Sequence, residues 1–254
     1  MNGKIYLMGA GPGDPELITL KAVRILQAAE VILVDDLVNP LLLRHASADA
    51  RIMAVGKRGG CKSTPQAFIH KQMIQAARAG KDVVRLKGGD PFMFGRGGEE
   101  MEAMHRAGIA VEVVSGVTAG IAAPASVGVP VTHRNYAPGV TFVTGHSQDG
   151  KRVNWAALVA SLTTLVIYMG VKTLPDIVAQ LLAAGMSPHM SALAVQNGTL
   201  SEQRQVLATL ETLHSAMIEK HIGSPAIVVI GEVADLAGIG MTSAADIETF
   251  AHVA

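Results

Sequence analysis

The sequence predicts an α/β protein whose first half forms a mostly parallel sheet covered by helices. Short runs rich in β-branched residues alternate with segments of helical periodicity, and this alternation is typical of parallel sheets. The chain has 254 residues, 49% of them hydrophobic, which is enough for one large or two small domains with buried cores. A polar stretch at residues 132–139 separates the halves, so we predict an N-terminal α/β domain at 1–134 and a C-terminal α/β domain at 135–254.

Each element of the first half is predicted from its own pattern. Short apolar runs that end at charged or glycine-rich segments predict strands at 4–8, 31–35, 51–55, 82–86 and 111–114. Apolar residues at helical spacing predict helices at 20–29, 65–79 and 99–107. Gly108 is expected to end the last of these helices, because glycine readily adopts the conformation that closes a helix.

The second half carries the same two patterns. Apolar, β-branched runs predict strands at 140–144, 164–169, 191–195, 205–209 and 226–230. Helical periodicity predicts helices at 155–162, 172–184 and 212–218. The segment 116–120 carries small residues after a strand and is either a pocket floor or a turn into an alanine-rich helix.

Composition and charge exclude several classes of function. With 21 basic and 21 acidic residues the net charge is zero, so no global field holds nucleic acid or an anionic membrane. Aromatic residues make up 4% of the chain, which argues against a platform that stacks single-stranded bases. Neither a signal peptide nor a transmembrane helix is predicted. The single Cys61 favours a reducing, cytoplasmic setting.

Four polar or glycine-rich segments directly follow predicted strands, at 9–14, 35–36, 56–58 and 87–90. Ligands of parallel sheets bind beyond the carboxyl ends of the strands, so these segments are expected to share one functional edge. Asp35 and Lys57 lie at two neighbouring strand ends, where a carboxylate and an ammonium group can act as proton acceptor and proton donor.

The densest of these signals is the segment 85–100, which holds five glycines, a proline, two arginines and three acids. Such a composition disfavours a strand or a helix interior and favours a binding site. The earlier segment 9–14 has Asp14 where the dinucleotide fingerprint requires glycine, and Pro12 lacks a backbone donor, so a nicotinamide cofactor is disfavoured. No metal-ligand spacing occurs, so no metal is expected.

In order and spacing, eight motifs resemble those of the tetrapyrrole methylases, and most closely of the members that act on uroporphyrinogen III. The motifs lie at 9–14, 55–58, 85–92, 94–100, 130–134, 144–146, 168–170 and 197–199. The resemblance implies two α/β domains, with a mostly parallel N-terminal sheet and a mixed C-terminal sheet. It also implies a homodimer, and S-adenosylmethionine bound in the cleft between the domains, with S-adenosylhomocysteine as its product.

The resemblance also implies roles for individual residues. Asp35 and Lys57 take the positions of the proton acceptor and donor. The cofactor-binding positions fall on Pro12, Gly88, Gly89, Asp90, Met93, Thr118, Ala119, Met169 and Gly198. Substrate contacts fall on Arg96, Glu99 and Arg134. We add Arg58, since uroporphyrinogen III carries eight carboxylates and guanidinium groups bind carboxylates well, and we add His146 as a further substrate-binding position.

The expected activity is two successive methylations of uroporphyrinogen III, at C2 and C7, giving precorrin-2 through precorrin-1. Only this methylation step is expected of the chain, within sirohaem, haem d1 or cobalamin synthesis. Three alternatives stay open: a methylase of the same fold acting on a later corrin intermediate, diphthine or ribosomal RNA; a non-catalytic tetrapyrrole-binding protein; and, more distantly, a nicotinamide oxidoreductase.

Overall fold

A computed structural model describes residues 2–56, 64–146 and 153–237. The chain divides into two compact units, Met1–Ala119 and Gly120–Ala254, called here the first unit and the second unit. Each unit contains one five-stranded sheet. In the described ranges no helix is long and apolar enough to cross a membrane.

The first unit is built on a parallel sheet, as predicted. Its strands are β1 (Ile5–Gly9), β2 (Val31–Val34), β3 (Arg51–Ala54), β4 (Val83–Lys87) and β5 (Val111–Val114). They lie in the order β3-β2-β4-β1-β5, and every neighbouring pair is parallel. The three predicted helices are α1 (Leu20–Ala28), α2 (Gln66–Arg78) and α3 (Gly97–Arg106). The predicted elements of this half are therefore confirmed, with ends that move by one or two residues.

Both faces of this sheet are buried at its centre, which explains why the central strands are mostly apolar runs. Met8 and Ile32 pack on one face with Leu26 of α1. Leu7 and its neighbours pack on the other face with Met73 of α2 and residues of α3. The central strands β2 and β4 are buried throughout. Because all five strands run the same way, their carboxyl ends meet at one edge.

An ion cluster lies on the edge strand β5. Glu112 accepts hydrogen bonds from the ammonium groups of Lys21 and Lys4. These two contacts, with Lys21 the larger cause, lower the pKa of Glu112 from its ordinary value of 4.5 to about 2. The cluster is partly exposed to solvent and ties α1 to the outer strand of the sheet.

The second unit contains a mixed sheet. Its strands are β6 (Val140–Thr144), β7 (Thr164–Tyr168), β8 (Ser191–Gln196), β9 (Arg204–Thr209) and β10 (Ala226–Ile230). They lie in the order β6-β7-β10-β8-β9, in which β6 and β7 are parallel and the other pairs are antiparallel. Helices α5 (Trp155–Ala160), α6 (Leu174–Ala183) and α7 (Leu213–Glu219) follow in chain order between strands of this sheet.

A further helix, α4 (Ala119–Ala125), marks the division between the units. The Gly120 amide donates to the Tyr168 hydroxyl at 2.6 Å, and the Ser126 hydroxyl donates to Gln203 Oε1 at 2.7 Å. These contacts attach α4 and the residue after it to the second unit. The two compact units divide after Ala119, and the domain boundary after residue 134 stays a prediction of the sequence.

Candidate functional site

The loops that follow β1 and β4 are joined by backbone hydrogen bonds at the carboxyl edge of the parallel sheet. Gly11 and Gly89 form a bridge, in which the Gly89 amide donates to the Gly11 carbonyl at 2.7 Å and the Gly11 amide donates to the Gly89 carbonyl at 3.2 Å. The loop after β2 also joins them, because the Asn39 side-chain amide donates to the Gly13 carbonyl at 2.8 Å. The loops after β1, β2 and β4 therefore lie together at the carboxyl edge of the sheet, as the sequence predicts.

Glycine is required at this edge because the loops approach backbone to backbone. A Cβ atom added at Gly116, in the loop after β5, would lie 2.3 Å from the Gly89 carbonyl oxygen. One added at Gly9 would lie 2.5 Å from the same oxygen, and one at Gly56 would lie 2.5 Å from the Asp36 nitrogen. Side chains do not fit at these distances, so glycine is needed for the loops to approach this closely.

The Asp90 side chain connects the glycine-rich loop after β4 to the loop after β5. Its carboxylate accepts hydrogen bonds from the Phe92 amide at 2.8 Å and from the Gly116 amide at 3.1 Å. Gly89, with a φ of +66°, lies against the backbone of Thr118 and Ala119. The structure thus brings together six of the predicted cofactor positions of the first unit, namely Pro12, Gly88, Gly89, Asp90, Thr118 and Ala119. Met93, a seventh, donates its amide to the Asp90 carbonyl at 3.3 Å.

The composition of this edge suits S-adenosylmethionine. The seven positions include no cationic side chain and one carboxylate, Asp90. A sulfonium cation meets no like charge among them, and the glycine backbone offers amide and carbonyl groups at close range. A Cβ added at Gly89 would meet the backbone of Thr118 and Ala119 at 3.8 Å, an ordinary van der Waals contact.

Arg96 and Glu99 form an exposed pair at the start of α3. Arg96 Nη2 donates to Glu99 Oε2 at 2.6 Å, and Arg96 Nε donates to both carboxylate oxygens. This bonding raises the pKa of Arg96 and lowers the pKa of Glu99. Arg96 has a φ of 59°, a left-handed conformation that is strained for arginine. Both side chains are more than half exposed, so the guanidinium is accessible to an anionic ligand.

Behind this surface lies a cluster of four charged side chains, Asp35, Arg85, Lys87 and Glu100, called here the charged quartet. Arg85 Nη2 lies 3.2 Å from Asp35 Oδ2, and Arg85 Nε lies 3.0 Å from Glu100 Oε1. Lys87 Nζ donates to Glu100 Oε1 at 3.2 Å and makes an ionic contact with Oε2 at 3.1 Å. Arg85, Lys87 and Glu100 are buried, whereas the Asp35 side chain is 36% exposed.

Burial sets the electrostatics of the quartet. Desolvation is the largest effect on Lys87 and, with the nearby Arg85 cation, lowers its pKa below the ordinary 10.5. Glu100 Oε1 also accepts a hydrogen bond from the Gln66 amide at 2.9 Å. Next to Gln66 lies His70, whose pKa is lowered, mainly by burial. The four charges of the quartet sum to zero, which is how charged groups are retained inside a protein.

Sequence reasoning had not assigned Arg85, Lys87 or Glu100 to the site. One signal was present: arginine and lysine two residues apart in an apolar strand point to the same face, where burial demands a partner. On α3 the buried positions are Gly97, Glu100 and Met104, so Glu100 lies in the helical stripe that faces the core.

Four predicted positions lie on the second unit: Met169, Gly198, Arg134 and His146. Met169 directly follows β7, is exposed and has a φ of 54°. An added Cβ at Gly198 would lie 2.5 Å from Ala123 Cβ, so this glycine permits close packing against α4. Arg134 and His146 are exposed, and the His146 amide donates to Thr144 Oγ1 at 3.1 Å.

Two predicted residues fall outside the described residues. Lys57 and Arg58, the proposed proton donor and one substrate arginine, belong to the segment 57–63. Gly56, the last described residue before them, lies at the carboxyl edge beside Asp36.

Comparison with known proteins gives a consistent picture. The family model of the tetrapyrrole (corrin/porphyrin) methylases matches residues 4–214. A uroporphyrinogen-III C-methyltransferase of Pseudomonas aeruginosa is 54% identical over 233 residues, which is 92% of this chain and 95% of that protein. A crystal structure of uroporphyrin-III C-methyl transferase from Thermus thermophilus, complexed with S-adenyl homocysteine, has a TM-score of 0.78 at 41% identity, covering 91% of this chain and 93% of that one.

A related structure, the cobalamin biosynthetic enzyme cobalt precorrin-4 methyltransferase, has a TM-score of 0.82 at 28% identity and covers 91% of this chain and 96% of that one. The resemblance drawn from the eight sequence motifs is confirmed by the family match and by the full-length similarity. The chain belongs to the tetrapyrrole (corrin/porphyrin) methylases.

Proposed function

We propose that this chain is an S-adenosylmethionine-dependent C-methyltransferase that converts uroporphyrinogen III to precorrin-2 by two successive methylations, at C2 and C7, with precorrin-1 between them. One observation carries the proposal: the 54% identity to a uroporphyrinogen-III C-methyltransferase extends over nearly the full length of both chains. The geometry of the carboxyl edge in the first unit supports it.

S-adenosylmethionine supplies an electrophilic methyl carbon when bound. The proposed contacts are Pro12, Gly88, Gly89, Asp90, Met93, Thr118 and Ala119 on the first unit and Met169 and Gly198 on the second. The S-adenyl homocysteine found in the Thermus thermophilus relative supports this cofactor. Methyl transfer to an electron-rich pyrrole carbon needs alignment above all, and orientation alone contributes roughly 7–11 kcal/mol to catalysis.

The substrate demands cations, and none of the seven proposed cofactor positions of the first unit carries one. A like charge about 4 Å from the sulfonium costs about 1 kcal/mol in water and more when partly desolvated. Arg96, oriented by Glu99, is therefore proposed to bind a carboxylate of the macrocycle. Arg58, Arg134 and His146 are proposed to bind further carboxylates.

A proton must leave the macrocycle after each methyl group is attached, and Asp35 is the proposed acceptor. It has the only partly exposed carboxylate of the charged quartet and lies at the carboxyl end of β2. Lys57, which follows β3 in the sequence, is the proposed donor to another position of the macrocycle.

The test is an anaerobic incubation of the protein with uroporphyrinogen III and S-adenosylmethionine, followed by mass spectrometry of the tetrapyrrole. We expect the mass of the substrate to increase by two methyl groups, with one S-adenosylhomocysteine released for each. No gain in mass refutes the proposal.

The second candidate is methylation of a later corrin intermediate, which the high TM-score of the cobalt precorrin-4 methyltransferase favours. A parallel incubation with precorrin-2 in place of uroporphyrinogen III separates the two. Methylation of precorrin-2 without methylation of uroporphyrinogen III would establish the second candidate instead.

The assembly and location are also proposals. We infer a cytoplasmic homodimer that binds neither nucleic acid nor membrane, supported by the family resemblance, the zero net charge and the single cysteine. Sedimentation velocity tests the assembly, and a single species with the mass of one chain refutes the dimer.

A further inference from the structure

We propose that Arg85, Lys87 and Glu100 are positioning residues that hold the Asp35 carboxylate in place for proton transfer. The proposal rests on the proposed role of Asp35 as proton acceptor. It assigns a function to three buried charges that binding of substrate or cofactor does not explain.

The first argument is the geometry of the Arg85 guanidinium, which joins two carboxylates from different elements. Its Nε donates to Glu100 of α3 at 3.0 Å, and its Nη2 donates to Asp35 at 3.2 Å. Nη1 makes longer contacts with the carbonyls of Leu33 and Leu86, at 3.5 and 3.4 Å. Because the guanidinium is planar and rigid, fixing two of its nitrogens sets the direction in which Nη2 points.

The second argument concerns Asp35, whose two carboxylate oxygens both have partners. Oδ1 accepts a hydrogen bond from the Asp36 amide at 3.1 Å, and Oδ2 accepts from Arg85. The Asp35 amide donates to the Leu86 carbonyl at 3.0 Å, which anchors the residue to β4. The orientation of the carboxylate therefore depends on Arg85, since its other partner is the amide of the next residue in the chain, Asp36.

The third argument is the gradient of burial across the quartet. The side chains of Glu100 and Arg85 are 0% and 3% exposed, and that of Asp35 is 36% exposed. Only Asp35 can meet a macrocycle, while the inner residues are fixed in the core. The Lys87 ammonium group pairs with the Glu100 carboxylate, so Arg85 is not the only cation between the two carboxylates of the quartet.

A purely stabilising role is a weaker explanation for these charges. Burying an ion pair often contributes no more stability than packing apolar side chains of the same volume. The position of Glu100 on α3 adds a functional link, because the preceding residue Glu99 orients Arg96 on the exposed side. One helical turn thus carries both the proposed substrate arginine and the support for the proposed acceptor.

The test is a double-mutant cycle between Arg85→Lys and Asp35→Asn, read as kcat and KM for both substrates. Lysine keeps the charge but has a single nitrogen, which cannot bind Glu100 and Asp35 as the guanidinium does. We expect Arg85→Lys to lower kcat roughly tenfold with little change in either KM, and to change kcat less than about twofold when Asp35 is already asparagine. Thermal unfolding of each variant checks that it is folded.

Two further variants accompany the double-mutant cycle, one that perturbs the quartet at a second position and one that serves as a control. Glu100→Asp retains the charge but shortens the side chain, and it is expected to reproduce the loss in kcat and its disappearance in the Asp35→Asn background. Arg106→Lys, at the exposed end of α3, is the matched control and is expected to leave both constants unchanged.

The outcomes separate this proposal from the one on which it rests. If Arg85→Lys and Glu100→Asp lower kcat by the same factor with and without Asp35, the positioning role is refuted while the methyltransferase activity stands. A rise in KM with unchanged kcat refutes it as well. A wild-type protein that does not methylate uroporphyrinogen III, or an Asp35→Asn variant with normal kcat, overturns the proposed function or acceptor and this proposal with it.

Discussion

Replacing Glu100 with glutamine removes one charge from the quartet while keeping the shape of the side chain. Glu100 is fully buried between Arg85 and Lys87, so the substitution leaves two buried cations with Asp35 as their single carboxylate. Breaking a buried ion pair in this way costs about 3–5 kcal/mol of unfolding free energy. We expect the lower end of that range, because Lys87, whose pKa burial already lowers, can give up its proton.

The neighbouring Glu99→Gln variant is the matched control. Its partner Arg96 is closer still, at 2.6 Å, but both side chains are exposed, and exposed pairs contribute about 0–1 kcal/mol. Urea unfolding at neutral pH measures both losses on the same scale. Equal losses for the two variants would refute the reasoning, since they would show that burial of the quartet has no energetic consequence.

The pH dependence of the unfolding free energy gives a second test of the Glu100→Gln variant. A lysine whose pKa is lower in the folded protein than in the unfolded chain binds fewer protons when folded, so stability rises with pH up to about 10.5. Without Glu100, the pKa of Lys87 falls further. The stability deficit of Glu100→Gln relative to wild type should therefore shrink as the pH rises toward 10.5, and a deficit that grows with pH would contradict this.

Three other outcomes follow from the contacts. Gly116→Ala places a Cβ 2.3 Å from the Gly89 oxygen and should cost about 1–3 kcal/mol of stability and weaken S-adenosylhomocysteine binding in calorimetry, whereas Gly98→Ala, with open space around it, should do neither. Arg96→Ala should raise the KM for uroporphyrinogen III and leave that for S-adenosylmethionine unchanged, and normal values for both would refute its role. Because the folded-state pKa of Glu112 is about 2, its contribution to the thermal midpoint should be lost as pH falls from 4.5 to 2, so Glu112→Gln should show a smaller drop over that window than wild type.

Periodicity and turn chemistry were sufficient to predict the sheet of the first unit and its functional edge. Alternating strands and helices fix parallel pairing, and parallel pairing collects the segments after Gly9, Val34 and Lys87 at one edge. The close packing of Gly9, Gly89 and Gly116 also follows the glycine pattern, although the sequence does not show which glycines touch.

The grouping of Asp35 with Arg85, Lys87 and Glu100, and the contacts of α4, do not follow from the sequence, for different physical reasons. Arg85, Lys87 and Glu100 come from a strand and a helix, and their pairing depends on how α3 packs on β4, which local sequence does not encode. The contacts of α4 include the Gly120 to Tyr168 hydrogen bond, which joins residues far apart in the chain. Local polarity at 132–139 carries no information about that contact.

The central claim is that uroporphyrinogen III receives two methyl groups at defined ring carbons. An anaerobic reaction with S-adenosylmethionine labelled with ¹³C in the methyl group, followed by ¹³C spectroscopy of the product, tests it most directly. We predict two labelled methyl signals, from groups on C2 and C7 of the macrocycle, with the signal of the monomethylated precorrin-1 appearing first. Label on other carbons, or no transfer of label to the macrocycle, would contradict the account.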